Sequence, residues 1–261
     1  LNFNEMAFSK GQPTWGLHLA DELENILVLQ DPSTVAAVII EPVTGAGGVI
    51  VPPVGYLERI KEICTKHNIL LIFDEVITGF GRLGDSFAAN RFDVTPDIIT
   101  MAKGLTGAVV PMSAVAFKNE IHDSIMQGPE NMIELFHGYT YSGHPVAAAA
   151  GLATLEVYEE EGLFQKAKEL EPIFEEAIHS LNGEDQVVDI RNIGLMGAVH
   201  FRSDPIPATE FASKVFQHCY ENDVMVRFSG EFLILSPSLI AEPQHIEIII
   251  EALKKAIRSI A

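Results

Sequence analysis

A chain of 261 residues with 48% hydrophobic and only 20% charged content has apolar material for one large or two smaller packed domains, which excludes a disordered chain. Its 36 acids against 17 bases give a formal charge of -19 that repels a phosphate backbone, and no Lys/Arg cluster breaks the pattern, so nucleic acid and anionic lipid are excluded as partners. No apolar run reaches the roughly 18 to 20 residues that a membrane span requires, and no basic leader precedes a hydrophobic block.

In chain order, apolar runs of strand length alternate with helical periodicity, the signature of an α/β fold with a mostly parallel sheet. Residues 35–41 read as a strand, and 56–67 as a helix with Leu57, Ile60, Ile63 and Cys64 on one face. Residues 69–75, 98–102 and 112–117 read as further strands, the first two continuously apolar, as strands buried on both faces are. A helix is predicted from residue 145 to about 160, opened by Pro145 and rich in alanine, which suits close packing against the sheet. After Glu159-Glu160-Glu161-Gly162 the character changes. Helix 163–181, strands 187–191 and 195–201, helix 208–222, strands 224–228 and 232–235, and helix 244–260 make an α+β unit. The expected division is a partial large domain, 1–161, and a small C-terminal domain, 162–261, with the preceding helix ending in Gly162. Cys64 and Cys219 each fall in an amphipathic helical pattern, which fits buried reduced thiols and a cytoplasmic compartment better than a disulfide. Leu1 is not a methionine and residues 2–12 read as the middle of something longer, so a fragment is expected.

Ligands in such folds gather beyond the carboxyl ends of the strands, where Glu41, Asp74 and Lys103 all fall. Leu70-Leu71-Ile72-Phe73 delivers Asp74, and the run ending in Met101 delivers Lys103 into Ala102-Lys103-Gly104-Leu105. An amine and a carboxylate presented in this way are what a pyridoxal phosphate enzyme needs: the acid keeps the pyridine nitrogen protonated and the amine bonds the coenzyme. Gly45-Ala46-Gly47-Gly48 also follows a strand, but Val49-Ile50-Val51-Pro52-Pro53 cannot open the helix of a dinucleotide fingerprint. His137 and His144 flank a polar loop without an acidic or cysteine partner in pattern, so structural hydrogen bonding is expected of them and no metal site is assigned.

Five motifs in order, Ile40-Glu41-Pro42-Val43, Gly45-Ala46-Gly47-Gly48, Phe73-Asp74-Glu75-Val76-Ile77-Thr78-Gly79-Phe80-Gly81-Arg82, Ala102-Lys103-Gly104-Leu105 and Gly138-Tyr139-Thr140-Tyr141-Ser142-Gly143-His144-Pro145, resemble the class III pyridoxal phosphate aminotransferases. Within them the chain is most similar to the omega-amino acid:pyruvate (beta-alanine:pyruvate) group, over essentially its whole length, and a long N-terminal portion of that family has no counterpart here. The resemblance implies fold type I and pyridoxal 5'-phosphate. It implies Lys103 as the Schiff-base lysine, made nucleophilic by desolvation in an apolar pocket, and Asp74 on the pyridinium nitrogen. Val76 would pack on the ring, Thr140 would reach the phosphate of a neighbouring subunit's cofactor in a homodimer, and Arg227 would bind substrate carboxylate. Glu41 stays outside the catalytic set as a supporting residue. Ala46 stands where relatives that accept 2-oxoglutarate often carry glutamate, which favours pyruvate as acceptor. Two departures, Ser238 for a proline and Ala108 for a larger polar residue, leave the amine unassigned. An aminomutase-like relative and a truncated chain without activity stay open beside the transaminase.

Overall fold

The computed structural model describes residues 4–260; Leu1 and Asn2, on which the expected interrupted start partly rests, lie outside the described residues. The first half contains α1 (Glu22–Gln30), β1 (Ala37–Ile40), α2 (Tyr56–Lys66), β2 (Leu70–Asp74), α3 (Ala88–Arg91), β3 (Ile98–Met101), β4 (Ala114–Phe117) and α4 (Asn119–Ile125). Its sheet has the order β1-β2-β3-β4, the first three strands parallel and β4 antiparallel at the edge. Parallel neighbours need a crossover, and α2 supplies the one between β1 and β2. It buries Leu57, Ile60, Ile63 and Cys64, the face expected from its periodicity, in a core shared with Leu71 and Phe73.

The expectation that β2 and β3 are buried on both faces is corrected. The register places Ile39, Ile72, Ile98 and Phe117 in one row across the sheet. In β2, Leu71 and Phe73 on the opposite face are fully buried while Ile72 is only partly buried, and no residue of β3 is fully buried. A continuously apolar strand reports what its faces tolerate, and the described residues cover only one of them. Helix α1 was not anticipated because Ile26, Val28 and Leu29 are apolar on its open side while Leu27 faces inward, so no 3.6-residue stripe stands out.

The second half contains α5 (Pro145–Glu160), α6 (Leu163–His179), β5 (Val187–Ile193), β6 (Met196–Phe201), α7 (Ala208–Glu221), β7 (Arg227–Ser229), β8 (Phe232–Leu235) and α8 (Pro243–Ile260). Gly162 takes φ 61° between α5 and α6, the left-handed turn anticipated there. The second sheet is antiparallel throughout, in the order β5-β6-β8-β7. Strand β6 is buried along its whole length: Val199 and Phe201 join the core made with α6, α7 and α8, while Met196 and Ala198 join the core of the first half. Gly197 permits the close approach of α6, since a Cβ there would lie 2.5 Å from Ile178 Cδ1 and 2.9 Å from Phe174 Cζ. The strand expected over 224–228 begins only at Arg227: Asp223 takes φ 62° and the Val224 amide donates to the Cys219 carbonyl at 2.9 Å, closing α7 instead.

Candidate active site

Lys103 opens a short 3-10 turn, Lys103–Thr106, directly beyond the carboxyl end of β3. Its own φ is 45°, a left-handed value uncommon outside glycine. Helix α5 lies on this turn rather than on the sheet, a correction to the expected packing: Gly151 sits against the Leu105 carbonyl, and the Tyr158 hydroxyl donates to the Gly104 carbonyl at 2.6 Å. The Lys103 side chain is exposed, so the expected desolvated apolar pocket is not formed by the described residues. Its Nζ has no hydrogen bond or ion pair among them.

Asp74 ends the neighbouring parallel strand β2 and pairs with Thr100 across the ladder, which sets both functional residues at the carboxyl end of the central strands. Its Oδ1 accepts the Val76 amide at 3.1 Å, and Oδ2 has no partner among the described residues. Glu75, absent from the expected set, is fully buried and accepts the Ala88 amide at 2.5 Å, the Ala89 amide at 2.9 Å and the Thr78 hydroxyl at 3.0 Å. Burial pushes its carboxyl up, while these donors pull it down. Together they close the segment from Val76 to Phe87 into a fixed loop at the strand end. From this loop the Arg82 guanidinium reaches the second half, donating to the Pro237 carbonyl at 2.6 Å and the Leu195 carbonyl at 3.2 Å.

A cavity of 480 Å³ opens where the two halves meet, within the range usual for small-molecule sites. Lys103, Val76 and Arg227 all line it, together with Ala46, Ala108 and Ser238, so the two departures noted in the sequence face the same space. Arg227 comes from β7 and has no ion pair among the described residues, unusual for a cation in so acidic a chain. The Ala46 turn is held from both sides: Glu41 Oε2 accepts the Gly45 amide at 3.0 Å and the Ser229 hydroxyl donates to the Ala46 carbonyl at 3.0 Å. This turn pairs Thr44 with Ile50 and opens no helix, as the proline pair predicts. Asp74 is not in the lining but is tied to it through Val76. Thr140 lies elsewhere, in an 810 Å³ cavity with Ser113, His137 and His144. His137 Nδ1 accepts the Tyr139 amide at 3.0 Å, the structural role expected of it. Among the described residues no group of three His, Cys, Asp or Glu is placed to hold a metal, and no helix is long and apolar enough to cross a membrane.

A mostly parallel sheet with an aspartate and a lysine at neighbouring strand ends, the lysine lining a cavity capped by an α+β unit, is the arrangement of fold type I. An amine transaminase from an uncultivated Pseudomonas species, in its PLP-bound form, superposes with a TM-score of 0.88 at 40% identity, covering 94% of this chain and 56% of that one. A transaminase solved with L-ala gives 0.89 at 35% identity over 93% of this chain and 59% of that one. The class is therefore that of the fold-type-I transaminases.

Among proteins of known name, the chain is 53% identical to an omega-aminotransferase of Caulobacter vibrioides over 95% of its length. It is 46% identical to the beta-alanine–pyruvate aminotransferase of Pseudomonas aeruginosa over 98%. It spans only 57% and 58% of those two proteins. The family model for class-III aminotransferases matches residues 1–257, and the chain belongs to that family.

Proposed function

We propose that this chain carries the pyridoxal 5'-phosphate site of a transaminase that moves an amino group from an omega-amino acid or amine to pyruvate in a ping-pong reaction. The observation that carries the reading is the shared cavity, in which Lys103 and Arg227 face the same space as Val76 with no protein carboxylate neutralising either cation. The donor set fits the coenzyme: Asp74 offers a free carboxylate oxygen for the pyridine N–H, Val76 an apolar surface for the ring, and Lys103 an unengaged amine for its carbonyl carbon. When bound, the coenzyme would supply the electron sink that acidifies the C–H bond of the donor's amine-bearing carbon.

The protein's share of the chemistry follows from its residues. Lys103 would take and return the proton at the donor's amine-bearing carbon. Asp74 would accept the ring N–H in a charge-assisted hydrogen bond and so hold the coenzyme's ring in place. Arg227 orients a substrate carboxylate bidentately, and its place on an edge strand leaves it free to turn aside for an uncharged amine. Ala46 puts no acid into the cavity to engage that arginine, which supports pyruvate over 2-oxoglutarate. Further parts of the proposal are a homodimer in which Thr140 serves the partner's cofactor phosphate, domains divided at 161/162, and a cytoplasmic location.

The test uses the complete open reading frame that contains this chain. Bound coenzyme should absorb in the visible, borohydride should fix it irreversibly, and Lys103→Ala should abolish the adduct. An adduct that survives this substitution overturns the reading. Beta-alanine, 4-aminobutyrate and an aryl-alkyl amine, each tried with pyruvate and 2-oxoglutarate, then define the donor; a preference for 2-oxoglutarate counts against the acceptor.

A further inference from the structure

No described residue bonds the Nζ of Lys103, and its φ of 45° lies where a lysine stays only if its surroundings keep it there. The surroundings that do so converge on the next residue. Gly104 has no left-handed φ to explain its lack of a side chain. It is glycine because Phe80 presses on it: a Cβ would lie 2.7 Å from Phe80 Cβ. Its carbonyl accepts the Tyr158 hydroxyl at 2.6 Å. The two aromatic rings face each other at 6.3 Å with an interplanar angle of 24°, and each is braced from behind, Phe80 by Phe87 at 5.3 Å and Tyr158 by Phe164 at 5.1 Å.

We propose that Tyr158 is a positioning residue for Lys103: its hydroxyl bond to the Gly104 carbonyl and the Phe80 side chain packed on Gly104 together hold that peptide and so keep the lysine's backbone in its left-handed conformation. The inference rests on the reading of Lys103 given above and extends it to the C-terminal end of helix α5, which none of the quoted motifs reaches. Tyr158 acts through the backbone and not as an acid or base, since its proton is already committed to a carbonyl. Burial pushes its hydroxyl pKa up and the nearby Arg82 charge pulls it down. The clamp also links the two functional strand ends, because Phe80 belongs to the loop that Glu75 closes after β2.

Tyr158→Phe removes the hydroxyl and keeps the ring. In the coenzyme-free full-length protein, hydrogen exchange should accelerate about threefold to tenfold, the effect of one lost hydrogen bond, at the Leu105 and Ala108 amides that bond the Ala102 and Lys103 carbonyls. Exchange over residues 196–201 should not change. In the loaded enzyme kcat should fall by a similar factor, with the donor's KM unchanged because Arg227 is untouched. Unchanged exchange over 102–108, an equal rise over 196–201, or faster local exchange with an unaltered kcat each overturns the proposal. Lys103→Ala separates this from the underlying reading: persistence of the borohydride-fixed adduct in that variant refutes the lysine's role, whatever the exchange shows.

Discussion

Replacing Asp97 with asparagine tests the electrostatics that hold the two functional strands in register. Asp97 stands at the head of β3, where Oδ2 accepts the Leu71 amide of β2 at 2.8 Å and Lys61 Nζ of α2 at 2.9 Å, and Oδ1 accepts Lys118 Nζ beyond β4 at 2.7 Å. Burial opposes its charge, but the Leu71 amide and the two lysines outweigh burial and hold the carboxyl at about 2 against an ordinary 3.8. Because the folded-state value is depressed, the associated stability is complete above the unfolded value and is lost as pH falls through the folded one. The shift corresponds to about 2 kcal/mol at pH 7, about 1 kcal/mol at pH 3 and well under 1 kcal/mol at pH 2. Asp97→Asn keeps an acceptor for Leu71 and loses both ion pairs, so the gap between wild type and variant should follow that decline. Urea unfolding at neutral and acidic pH measures the gap directly. A gap of the same size at pH 7 and pH 3, or no gap at pH 7, would show that the carboxylate's charge is not what joins β2, β3 and α2.

Arg227→Ala in the full-length enzyme should raise KM for carboxylate-bearing donors roughly tenfold to a hundredfold, the scale of a lost charge-assisted pair, and leave an uncharged aryl-alkyl amine nearly unaffected; parallel loss for both donor types would place the arginine outside the carboxylate site. Gly197→Ala drives a methyl group into Ile178 and Phe174 and should cost about 1 to 3 kcal/mol by overpacking, read as a lower urea midpoint; an unchanged midpoint would mean that α6 shifts freely on β6. Cys64 and Cys219 are buried, and burial pushes the Cys219 thiol up to about 11, so neither should react with an aromatic disulfide reagent at pH 8 until denaturant is added. Rapid labelling of native Cys219 would contradict its place in the core.

Elements with a clear period were legible within a residue or two. Helix α2 showed its buried face in the spacing of Leu57, Ile60, Ile63 and Cys64, and Gly162 marked the turn between α5 and α6. Helix α1, apolar on its open side, offered no stripe to detect. Residues 224–226 read as strand because Val224 and Val226 are apolar, but that character reflects their burial beside α7 and not ladder pairing. The site divided in the same way. Lys103 and Asp74 stood out because each follows an apolar strand, whereas Glu75 passed for part of the motif around Asp74 although the three donors to its buried carboxylate make it the fastener of the following loop. Tyr158 gave no signal, since a tyrosine among glutamates at the end of a helix looks like solvent-facing surface.

The chain's order of residues was enough to determine its α/β class, its family, and which lysine and aspartate stand at strand ends, because those properties depend on short-range period and on contiguous motifs. Only the tertiary structure decided that Arg227, Ala46 and Val76 share a cavity with Lys103, that Thr140 does not, and that Tyr158 and Phe80 grip the peptide after the lysine. These are contacts between segments remote in sequence, settled when two sheets and their helices pack, and no local pattern along the chain encodes them.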